Sequence, residues 1–209
     1  MKFTQSALVA LILLTASTAQ AELSANLGFA SDYYYRGIFQ KASSANGGVD
    51  YESGGFYAGV WAADVGGDIA PDGIEIDGYF GYGVDVGEVN LSVGYTGYFY
   101  TGDFDDTYQE INLGAGYGLA SLDVAIGQYE NFGGPTNDYV YYALTLEKNG
   151  FYGKYAGFTE DFDGDYFEAG YGTSVADIDL GVYLLFSSKD LVGESNEAIV
   201  FTIGKSFDF

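Results

Sequence analysis

Arg36 is the only arginine among 209 residues that include thirty aspartates and glutamates, and it directly follows Tyr33, Tyr34 and Tyr35. A guanidinium is a rigid fork of five donors that grips a carboxylate with two parallel bonds. The acids near it in the alternating pattern described below are Asp32, Asp50, Glu52, Glu75 and Asp77. The chemistry available to such a set is ion pairing, or setting the field of a pore. Catalysis is not expected. The chain has no histidine, so no imidazole base can activate a serine. It has no cysteine, so thiolate nucleophiles, disulfides and thiolate metal sites are excluded. The acidic runs at 101–106 and 160–165 carry oxygen ligands, but neither follows the twelve-residue calcium-loop pattern. We expect solvated loop acids there, with no resident metal or cofactor. A net charge of −23 opposes nucleic-acid binding, which needs Lys and Arg against phosphate.

The elements that position these side chains are strands. A chain that is 48% hydrophobic and 18% aromatic is not a disordered acidic tail. Apolar residues recur at every second position: Leu91, Val93, Tyr95; Ile111, Leu113, Ala115, Tyr117; Ile178, Leu180, Val182, Leu184, Phe186. A period of two gives strands with two unlike faces. Short links near 53–55, 87–88, 119–121, 148–150 and 176–177 alternate with longer polar links at 37–43, 66–72, 101–106, 130–138, 160–165 and 188–196. That alternation suits a transmembrane antiparallel up-and-down β-barrel of about 12 strands, with short periplasmic turns and longer external loops. At the start, an apolar run at 7–16 and the small residues Ala19 and Ala21 suggest a cleaved signal peptide over residues 1–21 and a barrel over 22–209.

Carrying the alternation along each strand assigns the faces. Asp32, Arg36, Asp50, Glu52, Glu75, Asp77, Glu110, Asp123, Lys154, Glu168 and Asp179 fall inward as pore lining. Tyr33 and Tyr35 fall outward at the external lipid boundary, and Tyr82, Tyr117 and Tyr171 at the periplasmic one, where amphipathic rings belong. In the last segment Phe201, Ile203, Phe207 and Phe209 share the apolar face. A strand ending in phenylalanine in this way looks like the signal read by barrel-assembly machinery.

The opening stretch "SDYYYRGIFQ" (31–40), with "GGVDY" (47–51), "GFYAGVWA" (55–62) and "EIDGYFGY" (75–82), resembles the TorF-type porin family of proteobacteria. Phe39 and Asp64 depart from its pattern. The resemblance implies an outer-membrane barrel of a Gram-negative bacterium. The expectation is a porin-like channel for passive diffusion of small solutes, cation-preferring because inward acids outnumber Arg36 and Lys154. The alternative is a closed structural or adhesive barrel. Expected partners are outer-membrane lipids and lipopolysaccharide, the assembly machinery, and small solutes or cations.

Overall fold

The computed structural model describes residues 21–67 and 70–209; the expected signal peptide, Ala21 apart, lies outside them. Twelve strands follow in chain order: β1 (Glu22–Tyr35), β2 (Ile38–Ser53), β3 (Phe56–Val65), β4 (Gly73–Val86), β5 (Val89–Tyr100) and β6 (Tyr108–Tyr117), then β7 (Ala120–Tyr129), β8 (Asn137–Lys148), β9 (Phe151–Glu160), β10 (Asp165–Val175), β11 (Ile178–Ser187) and β12 (Asn196–Asp208). A four-residue helix, α1 (Lys189–Val192), sits in the last loop. Each strand pairs antiparallel with its sequence neighbours, and β1 closes on β12, so the sheet is a barrel with no open edge.

The alternation decides which way each strand faces. Phe80, Val93, Leu113, Ile126, Leu144, Leu184 and Phe201 point outward and are exposed, while small and polar residues point inward. The barrel is therefore inside out relative to a soluble one, with an apolar outer band and an interior of polar groups, tyrosines and a few apolar side chains such as Leu185 and Val200. Inward glycines leave room that inward tyrosines of neighbouring strands occupy. Tyr57 lies against Gly81 and Gly94, Tyr79 against Gly59, Tyr139 against Gly127, and Tyr152 against Gly170. A side chain at any of these glycines meets a ring.

Five two-residue turns (54–55, 87–88, 118–119, 149–150, 176–177) lie at one end together with both termini of the barrel. At Asn149–Gly150 both central residues are left-handed (φ 54° and 82°), the twist that suits a tight hairpin. The other end carries the longer connections, from β3 to β4, β5 to β6, β7 to β8, β9 to β10 and β11 to β12. One expected long link is not a loop. Residues 38–43 belong to β2, and Arg36 and Gly37 alone turn the chain.

Candidate functional site

The first hairpin leaves the barrel wall. Ladder pairing of β1 with β12 stops at Ala30↔Thr202, and pairing of β2 with β3 begins only at Asn46↔Ala63. Between those points the two strands pair with each other. Side chains cap the freed edges. Ser31 Oγ accepts from the Phe201 amide at 3.0 Å, and Ser44 Oγ donates to the Asp64 carbonyl at 2.7 Å. A bulge at Tyr33/Tyr34 adds local bend and twist. The tip then lies inside the barrel instead of standing above it.

Arg36 and Gly37 form the tip, both left-handed at φ 48° and 83°. An arginine at positive φ is strained, which the surroundings must outweigh. They do so from several strands. Ser187 Oγ on β11 donates to the Gly37 carbonyl at 2.6 Å. A Cβ at Gly37 would come within 2.9 Å of both Tyr166 and Leu191, so only glycine fits beneath this lid. Arg36 reaches β6, where its two terminal nitrogens donate to Glu110 Oε2 and Oε1 at 2.9 and 2.6 Å. Its guanidinium lies 4.0 Å from the centre of the Tyr141 ring and 5.0 Å from that of Tyr35.

Glu110 is the hub. It also accepts from Tyr98 at 2.7 Å, Asn112 at 2.8 Å and Tyr139 at 2.9 Å. Glu110 is 1% exposed and Arg36 7%, so the pair is sealed from bulk water. A buried charge pair is tolerable when its remaining lone pairs are satisfied, and the carboxylate here meets that condition. Around it, toward the end away from the two-residue turns, rings pack the lumen: Tyr108 on Tyr129, Tyr139 on Phe162, and Tyr141 bonded to Tyr166 at 2.8 Å.

The other expected pore-lining residues spread over the remaining interior. Glu75 is fully buried and accepts from Tyr33 at 2.7 Å, and Asp77 lies two residues along the same strand. One oxygen of each, Glu75 Oε2 and Asp77 Oδ1, has no partner, as is also true of Arg36 Nε. Lys154 pairs with Glu168 at 3.0 Å, facing Asp123. Asp50 accepts from Asn26 and from Tyr79, and Glu52 stands nearer the short-turn end. Asp179 accepts from Ser174, and Asp32 from Ser31.

Three expectations are corrected. Tyr33 and Tyr35 are not in an outer girdle. Tyr33 is 2% exposed beside Trp61, and Tyr35 packs edge-on against Tyr98, because β1 has left the wall before reaching them. The partner of Arg36 is Glu110, not Asp50, Glu52, Glu75 or Asp77. Residues 38–43 of the expected long link 37–43 are strand, not an exposed loop. Tyr82, Tyr117, Tyr171, Phe201, Ile203, Phe207 and Phe209 lie exposed on the outer face or at the C-terminal end. Tyr98, Tyr139, Tyr141, Tyr166 and Ser187 also build the site and are absent from the expected lining. Each falls at an inward position in its alternation, but none carries a charge to single it out.

Residues 15–153, more than half of the chain, match the family described as a bacterial protein of unknown function (Gcw_chp). The chain belongs to this family. No curated protein matches. Among solved structures, the Gcw_chp chain is similar to a membrane protein from a study of in-meso crystallization, at 11% identity and a TM-score of 0.54. That alignment covers 90% of this chain and 84% of that one. It shows the fold alone. A mutant Rh. blastica porin (10% identity, TM-score 0.40, covering 92% of this chain and all of that one) is a weaker match. So is an anion-selective porin from Comamonas acidovorans (14% identity, TM-score 0.42, covering 91% and all). Neither is close enough to carry an argument about the Gcw_chp barrel.

Proposed function

We propose that this Gcw_chp barrel is an outer-membrane, porin-type channel of the TorF kind, closed by its own first hairpin in the conformation described. It opens when the tip withdraws from Glu110. The observation that carries this reading is the Arg36–Glu110 pair, which joins a two-residue turn to a distant strand through the middle of the barrel. A hairpin already released from both neighbouring strands has fewer ladder bonds to break than a wall strand. Its buried network also leaves Arg36 Nε, Glu75 Oε2 and Asp77 Oδ1 unsatisfied, which a core built only for stability avoids. Toward the short turns, Asp50, Glu52, Asp123, Lys154 and Glu168 are partly exposed in a polar lumen. Once open, the surplus of acids favours small cations and neutral solutes over anions. The signal peptide over residues 1–21, insertion by the assembly machinery, and contact of the outer band and girdle with outer-membrane lipid and lipopolysaccharide belong to the same reading.

A permanently closed structural or adhesive barrel is the rival, favoured by how fully Glu110 is bonded. Planar-bilayer recording of the purified protein separates them. The channel reading expects infrequent openings that become frequent in Glu110→Gln. A folded Glu110→Gln barrel as silent as the wild type supports the rival.

A further inference from the structure

Glu75 and Asp77 occupy successive inward positions on β4, roughly 6.5 Å apart along the strand. Both are enclosed. Ala63 and Tyr100 stand opposite Glu75 in the flanking ladders, and Trp61 and Tyr98 stand opposite Asp77. Glu75 is inaccessible to solvent; Oε1 receives a bond from Tyr33 and the Tyr100 hydroxyl also faces the carboxylate, yet Oε2 and Asp77 Oδ1 are buried without a hydrogen bond of good geometry. Among the described residues no lysine or arginine nitrogen lies within 4.0 Å of either carboxylate. Arg36 acts on both only from a distance, because its terminal nitrogens are committed to Glu110. The other charges facing the pair, Asp105 and Glu110, are negative.

An unpaired buried carboxylate is costly, and two of like charge side by side are more so. We propose that Glu75 and Asp77 form a binding position for one divalent, oxygen-seeking cation of the calcium or magnesium class. A divalent ion cancels both charges at once, whereas a monovalent ion leaves one buried. The donors are hard oxygens, and a chain without His or Cys offers nothing to the softer transition metals. No three acidic side chains among the described residues converge on one point, so water completes the shell. Magnesium in particular commonly binds one or two carboxylates and keeps several waters. This site differs from the Arg36–Glu110 closure and stands whether or not the barrel conducts.

Trp61 reports on it. It is the chain's only tryptophan, lies directly across the ladder from Asp77, and packs 5.9 Å from the Tyr33 ring that serves Glu75. The full barrel, purified in detergent and treated with chelator, is titrated with CaCl2 and separately with MgCl2, at ionic strength held constant with choline chloride. We expect a saturable change in Trp61 emission, with a midpoint of roughly 0.1–1 mM for the better ion, as in extracellular calcium modules. Glu75→Gln/Asp77→Asn, checked for folding by heat-modifiable mobility, should shift the midpoint at least tenfold. Asp77→Asn alone serves if the double variant does not fold. An unchanged midpoint in the folded variant overturns the proposal and assigns the response to loop acids. Emission that follows pH but ignores both salts also overturns it, because a proton is then the neutralising partner. An equal response to KCl overturns the divalent assignment.

Discussion

Arg36 and Glu110 stand 74 residues apart in the chain and far apart round the ladder, yet their side chains meet in a two-point ion pair. This pair ties the tip of the first hairpin to β6. Its formation needs the first hairpin to leave the wall after Ala30, the turn to accept two left-handed residues, and Gly37 to fit under Tyr166.

Removing one partner of a buried pair leaves an uncompensated charge, typically a loss of about 3–5 kcal/mol. Arg36→Met and Glu110→Gln, each alone, should therefore lower the denaturant midpoint of the barrel clearly. Arg36→Met/Glu110→Gln should recover much of the loss, because neither residue is then charged. A double variant as unstable as the sum of the two singles would show that the two sites do not interact.

The placement of the two ends is tested by labelling. The chain has no native cysteine, so single cysteines report cleanly. A cysteine at Thr136, exposed in the loop between β7 and β8, should react with an impermeant maleimide on intact cells. One at Asn149, in the two-residue turn between β8 and β9, should react only after lysis. The reverse pattern would invert the topology.

Much of this architecture is legible in the sequence. Alternation and loop length suffice for the strand number, because outward and inward positions differ in chemistry along the strands that stay in the wall. The same rule misplaces Tyr33 and Tyr35, because it holds only while a strand remains in the wall. A folded-in hairpin is surrounded on both sides, so its residues no longer divide into apolar and polar faces. Three consecutive tyrosines do not mark that state by themselves, because wall strands also carry aromatic residues on both faces, as Tyr79 and Phe80 do on β4. The partner of Arg36 was not legible. Several inward acids are equivalent by alternation, and only the path of the hairpin selects Glu110.

The final strand carries the assembly prediction. Phe207 and Phe209 are exposed on the outer face and at the terminus, and the Phe209 amide bonds to the Leu23 carbonyl at the closing seam. Phe207→Ser/Phe209→Ser should reduce heat-modifiable protein in outer-membrane fractions several-fold. Wild-type amounts would remove the terminus from the assembly pathway.

Selectivity should follow the charge that remains in an opened lumen. In a Glu110→Gln background, the reversal potential in a KCl gradient should show cation preference. Adding Asp50→Asn and Asp123→Asn should reduce that preference, as two lumenal acids become neutral. An unchanged reversal potential would place the selective step elsewhere.

The central claim, that the hairpin tip is the closure, is tested most directly by removing it. Ala30 and Ser44 are ladder partners, so replacing residues 32–42 with Asn-Gly leaves a short hairpin in a favoured tight turn. Single-channel recording of this barrel in a planar bilayer should show stable open steps where the wild type is closed most of the time. A folded, tip-less barrel that stays as silent as the wild type would contradict the account.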